Sequence, residues 1–371
     1  MPSKPNHPPK IRIPIRLHGT WSQTLYLALP HQWREPIDIW KNGLKEGLKN
    51  FKNPLFLSVH HILRGTFKRA GFEWELRQKG EAKIGLWRKK IRTRDRGVEV
   101  PKRLVVIPGF GDTPLSWLVP VLMSIPAIRA DYDEVIFFDF PGFSGFLSRE
   151  KCFSSMDALL EMASDTLDSL KPYAILGHSL GGWVASHYAG KCGERTRPLG
   201  NQKIYSGPEI LVVADPSGVF DGPESEAEWE EKFTRVMDIG FEELRPHVFS
   251  KEPFWFPFLA SEYIRFISKP DVLDFMRTFR KDHATNDLVT KIRAKTWVIW
   301  GDLDTLCPTR WIYQWLKILP SESRPQGILL KKVGHSPQIE CPALTALVLA
   351  EILRGKVPSA KRARRYQLVE L

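Results

Sequence analysis

Tyr173-Ala174-Ile175-Leu176-Gly177-His178-Ser179-Leu180-Gly181-Gly182-Trp183 is an apolar run that stops at a glycine, passes one histidine and one serine, and re-enters a helical pattern from Leu180. The apolar part has the character of a strand buried on both faces. A strand-to-helix turn this tight holds its serine in a strained conformation, and small residues two before it and two and three after it let neighbouring backbone approach. The strain exposes the Ser179 hydroxyl and leaves the Leu180 N–H at a helix N-terminus, where it can donate to a developing oxyanion. A G-x-S-x-G pattern is a moderate signal by itself; a strand before it and a helix after it supply the context that gives it weight.

The segments on either side repeat that alternation. Upstream, Leu104-Val105-Val106-Ile107 is a short apolar strand stopped by Pro108-Gly109, a helical stretch runs from Leu115 to Met123, and Glu134 to Asp139 is a second buried strand. The helix Met156 to Leu170 leads into the serine turn. Downstream, a polar loop from about Gly190 to Pro208 precedes the strand Ile210 to Ala214, and two more strands, Thr296 to Trp300 and Gly327 to Val333, are separated and followed by helices. Phe72 to Gln78 and part of Lys83 to Lys90 alternate apolar with polar, as an antiparallel pair at a sheet edge does. The expected class is α/β, a mostly parallel, doubly wound sheet.

Between Pro216 and Ile292 the rhythm breaks. The stretch is too long for a crossover, begins acidic at Glu224 to Glu231, and carries an aromatic cluster at Phe254, Trp255, Phe256 and Phe258. It reads as an inserted helical cap, residues 216–292, whose aromatics serve in packing or line an acyl or aryl pocket. The core is expected over 71–215 and 293–355, with a basic helical extension at 1–70 and a basic tail at 356–371.

Charge is distributed unevenly. The net value is +12, yet residues 1–105 carry 23 Lys and Arg against 8 Asp and Glu, residues 354–371 carry 6 against 1, and the stretch between them is net −8. In the extension, Trp40, Leu44, Leu48 and Phe51 recur at helical spacing, each followed by a lysine, giving an apolar face edged with positive charge. Such a helix packs on the main domain or lies in a membrane interface. The basic ends suit a solvated surface or peripheral contact with an anionic membrane; no nucleic-acid module accompanies them. Four cysteines without metal-ligand spacing, no secretory pattern and no span-length apolar run suggest a cytoplasmic protein.

A serine hydroxyl needs a base to attack a carbonyl, and the base needs an orienting carboxylate. His335, in Val333-Gly334-His335-Ser336-Pro337 after the last strand, is the expected base. Asp304, in Trp300-Gly301-Asp302-Leu303-Asp304-Thr305, is the preferred acid, with Asp302 and Asp215 as competitors: Asp302 is nearer the strand and could brace the turn, while Asp215 ends the strand before the cap. The second oxyanion donor is expected from Pro108-Gly109-Phe110-Gly111-Asp112, at the Phe110 N–H beside that of Leu180. His178 packs under the turn without a catalytic role, His283 has no visible partner, and His60-His61 lacks neighbours for a metal site.

These pieces resemble the α/β-hydrolase superfamily over roughly 71–355. The matching motifs are Ile107-Pro108-Gly109-Phe110-Gly111, Asp139-Phe140-Pro141-Gly142-Phe143, Gly177 to Gly182, Trp300 to Asp304, and Gly334-His335 followed by Glu340-Cys341-Pro342. Within it the chain is most similar to capped serine hydrolases such as monoacylglycerol lipases, esterases and carbon–carbon bond hydrolases, and Asp215-Pro216-Ser217-Gly218 is similar to the turn that enters their cap. The resemblance implies a Ser179-His335-Asp304 triad, oxyanion roles for Phe110 and Leu180, and no cofactor or metal. Pro108 stands where most members carry histidine, and the extension falls outside the pattern. The implied activity is hydrolysis of a small-molecule acyl ester, medium- or long-chain in view of the cap and basic ends. Thioester or carbon–carbon cleavage, acyl transfer, and a non-catalytic lipid-binding or scaffold role are the alternatives.

Overall fold

Strands that are apolar at every position must bury both faces, and the computed structural model satisfies that requirement with helices on either side of one sheet. It describes residues 64–92, 100–143, 147, 150–195, 197–199, 202–204, 207–220, 222–254, 256–358 and 365–369. The order is β1 (Glu73–Lys79), β2 (Ala82–Lys90), β3 (Arg103–Ile107), α1 (Pro114–Ile128), β4 (Glu134–Asp139), α2 (Met156–Leu170), β5 (Ala174–His178) and α3 (Leu180–Glu194). A short hairpin, β6 (Arg197–Leu199) and β7 (Gln202–Ile204), precedes β8 (Ile210–Ala214). After β8 come α4 (Pro223–Ile239), α5 (Arg245–Val248), α6 (Pro257–Ile267), α7 (Pro270–Arg277) and α8 (Asn286–Val289). The chain closes with β9 (Lys295–Gly301), α9 (Trp311–Ile318), β10 (Gln326–Leu330), α10 (Pro337–Glu340), α11 (Pro342–Leu353) and β11 (Tyr366–Val369).

The main sheet has the order β1-β2-β4-β3-β5-β8-β9-β10-β11. Its interior strands, β4 through β10, are parallel, and the pairings at the two edges, β1 with β2, β2 with β4 and β10 with β11, are antiparallel. Alternate residues of each strand enter opposite cores. Leu104, Val106, Phe137, Leu176, Val212 and Trp297 pack with α1 and α11. Val105, Ile107, Phe138, Ile175, Val213 and Trp300 pack with α2, α3 and α9. This is the doubly wound arrangement that the strand–helix alternation predicts.

The sequence reading and the structure differ at three boundaries. Residues 64–69, assigned by sequence to the extension, form a helical turn that places Phe67 against Phe72, Trp87 and Phe137, with its side chain fully buried; residues 1–63, with the lysine-edged helix and His60-His61, lie outside the described residues. In the stretch read as a polar loop, α3 continues to Glu194 and the β6–β7 hairpin follows. The basic tail contains β11, which pairs with β10 and buries Tyr366. Four strand residues behind a run of lysines and arginines give too short an alternating pattern to stand out.

The segment between β8 and β9 lies against the loops that leave the carboxyl ends of the parallel strands. Tyr263 on α6 donates to Gly111 O at 2.7 Å, His247 on α5 meets Thr305 Oγ1 at 2.8 Å, and the Ser250 N–H donates to Glu340 Oε2 at 3.0 Å. Phe256 packs on Phe249 and Tyr263, whereas Phe254 is 85% exposed; Trp255 lies outside the described residues.

Candidate active site

The serine turn forms because backbone must pass where a side chain would stand. A Cβ on Gly181 would sit 2.1 Å from Ile107 O, and one on Gly177 would sit 2.3 Å from Gly181 O. These contacts bring α3 down onto β3 and β5, leaving Ser179 at φ 52, ψ −117, a conformation that costs a non-glycine residue on the order of 1–3 kcal/mol. The surroundings fix it there. The Ser179 N–H donates to Ala214 O at 3.0 Å, and its carbonyl accepts from Trp183 N at 3.1 Å and Ser217 N at 3.3 Å. The side chain is part-exposed at the carboxyl end of β5.

His335 and Asp304 meet as the sequence predicts. His335 Nδ1 lies 2.8 Å from Asp304 Oδ2, with the two side chains 5% and 0% exposed. A carboxylate accepts only, so the neutral ring carries its proton on Nδ1 and leaves the Nε2 lone pair free for a proton from an attacking hydroxyl. The other oxygen of Asp304 accepts from Leu306 N at 2.8 Å and Cys307 N at 3.0 Å, which fixes the carboxylate plane. No hydrogen bond joins Ser179 Oγ to the His335 ring in this structure; catalytic hydrogen bonds often close only around substrate.

Among the described residues, the backbone N–H groups of Leu180 and Phe110 donate to no other protein group. Leu180 is the first residue of α3, where no intrahelical acceptor precedes it. Phe110 lies in the turn after β3, the same strand end against which Gly181 packs.

The α/β hydrolase family model matches residues 104–346, well over half of the chain. The chain belongs to the alpha/beta hydrolase family. The fold of this α/β-hydrolase is similar to that of a putative lipase from Acinetobacter baumannii AYE, with TM-score 0.59 and 19% identity over 82% of this chain and 97% of that one. It is likewise similar to a bacterial membrane phospholipase A (TM-score 0.58, 20% identity, 85% and 96% covered) and a thermophilic esterase from Thermogutta terrifontis (TM-score 0.52, 19% identity, 76% and 98% covered). No curated protein matches the chain in sequence.

The two competing carboxylates of this hydrolase occupy other positions. Asp302 Oδ1 accepts from Lys332 N at 2.6 Å and Val333 N at 3.2 Å, bracing the loop that carries His335. Asp215 is fully buried at φ 44 and accepts from Gly301 N at 2.8 Å; it holds the strand end rather than the imidazole. Burial, and next the charge of Asp304, push its carboxyl well above the ordinary range.

Three residues around the histidine loop escape sequence reasoning. His178 Nε2 lies 2.8 Å from His335 O, Gln338 Nε2 donates to Asp112 Oδ2 at 3.2 Å, and Glu340 Oε1 accepts from Gly334 N at 2.9 Å. His178 carried a signal by standing within the turn itself and Glu340 by its place in the motif after His335, although neither bond was foreseen; Gln338 carried none. His283, for which sequence offered no partner, meets Asp157 Oδ1 through Nε2 at 3.1 Å.

Asp304, Cys307 and His335 bring three potential ligand atoms within 4.8 Å of one another. They do not fit a metal: both Asp304 oxygens are already engaged, Cys307 Sγ pairs with Ser217 Oγ at 3.3 Å, and burial pushes the Cys307 thiol well above its usual range, away from the thiolate that a metal requires.

Proposed function

We propose that this α/β-hydrolase is a serine hydrolase of carboxylic esters, acting on medium- or long-chain, lipid-like acyl groups. The observation that carries the reading is the 2.8 Å contact between His335 Nδ1 and Asp304 Oδ2, on a loop bonded through His335 O to His178, the residue before Ser179 on its strained strand-to-helix turn. In this reading His335 Nε2 takes the Ser179 proton as Oγ attacks the acyl carbonyl, and Asp304 stabilises the imidazolium. The N–H groups of Phe110 and Leu180 hold the oxyanion. The alcohol leaves with the proton from Nε2, and a water deprotonated by the same nitrogen resolves the acyl-enzyme to acid and free serine.

The substrate class is supported by the wall beside the oxyanion loop. Phe110 packs on Phe143 and Phe241 with ring centroids 4.9 and 5.4 Å apart, and Phe143 stacks on Phe275 at 5.6 Å. Phe241 and Phe275 come from the inserted segment, which serves in this reading as a cap over an apolar acyl site. The lipase and phospholipase of like fold make lipid esters the class to test first. The basic ends would hold the protein at an anionic lipid surface by electrostatic attraction; no helix among the described residues is long and apolar enough to cross a membrane.

Labelling by a fluorophosphonate probe tests the activity, and a series of esters of increasing acyl length tests the class. Labelling lost in Ser179→Ala, with kcat/KM rising toward longer chains, supports both parts. Folded wild-type protein that resists the probe would reject the enzyme reading, and a preference for acetyl esters would reject the lipid-like substrate.

A further inference from the structure

Two buried carboxyl groups lie side by side behind the catalytic imidazole, and that pair needs a proton. Asp215 and Asp304 are 0% and 4% exposed, and both are bonded to Gly301: its N–H donates to Asp215 Oδ1 at 2.8 Å and its carbonyl accepts from Asp304 N at 3.2 Å, which brings the two carboxyls within hydrogen-bonding reach of each other. The groups around them are His335, Cys307, Glu340 and Cys341. With one imidazolium at most to offset them, two ionised carboxylates at this distance repel in a medium that screens poorly.

The hydrogen bonds decide which group keeps the proton. Asp304 accepts from Leu306 N, Cys307 N and His335 Nδ1, three donors that favour its charged form. Asp215 accepts from one donor, Gly301 N, through Oδ1, and no N–H or O–H of the described residues reaches its Oδ2. A buried carboxylate oxygen without a donor is costly, whereas the same oxygen as O–H has an acceptor at hand in Asp304.

We propose that Asp215 is a neutral carboxylic acid that donates its proton to the Asp304 carboxylate, a positioning residue that fixes the acid of the triad from behind. The inference rests on the catalytic reading of Asp304 and His335. The hydrogen bond occupies an Asp304 lone pair that no backbone N–H reaches and holds the carboxylate against His335, so the proton on Nδ1 stays on the ring. The direction in which Asp215 titrates agrees with this assignment, burial being the largest cause and Asp304 the next.

Asn is the isostere of that neutral acid: its Oδ1 can accept from Gly301 N, its amide N–H can donate to Asp304, and it tolerates a positive φ. Three readouts test the proposal on the whole protein. Infrared difference spectra at neutral pH should contain the carbonyl band of a protonated carboxylic acid in wild type and lack it in Asp215→Asn. Asp215→Asn should keep kcat/KM within about threefold, Asp215→Ala should lose about tenfold or more, and Asp304→Asn about 10³–10⁴-fold. A group that keeps its proton on folding makes stability fall as pH rises above the unfolded-chain value of 3.8, so wild type should lose melting temperature relative to Asp215→Asn with increasing pH. A missing acid band, or an Asp215→Asn loss as large as that of Asp304→Asn, would overturn the proposal. Wild-type protein with the band and the pH slope but no ester turnover would reject the hydrolase reading and leave the buried acid in place.

Discussion

His178 Nε2 lies 2.8 Å from the backbone carbonyl of His335, so the residue preceding the candidate nucleophile holds the loop of the candidate base. A carbonyl only accepts, which places a proton on His178 Nε2. The bond spans 157 residues of chain and joins the strand-to-helix turn to the histidine loop at backbone level. Replacing His178 with leucine should lower kcat by about 10- to 100-fold, the scale of an angstrom-level misplacement, while KM stays within about twofold. Burst titration of active sites with a generic ester gives the active fraction and so separates a lower kcat from a general loss of folded protein.

Asp304 and Asp302 predict opposite kinds of damage. Asp304→Asn removes the charge behind the imidazole and permits the wrong tautomer, for which kcat should fall by about 10³–10⁴-fold with the melting temperature nearly unchanged. Asp302→Ala leaves the N–H groups of Lys332 and Val333 without their acceptor, which should cost about 1–3 kcal/mol of stability and a smaller share of activity. Paired denaturation and rate measurements on the two variants check the division.

Tyr263 joins the inserted segment to the candidate oxyanion loop through its 2.7 Å hydrogen bond to Gly111 O. Tyr263→Phe keeps the ring and removes only that bond, so kcat/KM should fall about fivefold, the equivalent of about 1 kcal/mol, with little change in the melting temperature. A variant indistinguishable from wild type would show that the oxyanion loop holds its position without the inserted segment.

The doubly wound sheet was legible because the parallel strands between β4 and β9 are almost uninterrupted apolar runs, which only a two-sided core explains. The Ser179 turn and the Asp304–His335 contact were legible because each of these residues follows the end of such a strand. Local pattern carried less where the decisive contact is distant. Nothing near Tyr263 announces a bond to Gly111, and nothing near Asp215 reveals that Gly301 N and Asp304 enclose it. The extension was read as ending at 70 because its helical spacing continues toward Phe67, yet that side chain is buried beside Trp87 in the main core. β11 was missed for a different reason: its burial depends on the edge that β10 offers, which four residues behind a basic run do not advertise.

His187 on α3 predicts an acid limb in the stability profile. Burial first, and Lys191 second, push its ring down from 6.5 to about 4, and its buried Nδ1 has no hydrogen-bond partner among the described residues. Because the folded value is depressed, the unfolded chain binds the extra proton between these values, and the native state loses stability as pH falls from 6.5 toward 4. Thermal melts across that window should be flatter for His187→Gln than for wild type. Equal slopes would mean that other groups set the acid limb.

The most direct test of the central claim is mass spectrometry of peptides from protein mixed with a long-chain p-nitrophenyl ester and quenched in acid within one turnover. The account predicts an added acyl mass on Ser179 at near-stoichiometric occupancy, together with a matching burst of nitrophenol, and neither in Ser179→Ala. An acyl mass on another residue, or ester turnover that survives Ser179→Ala, would contradict it.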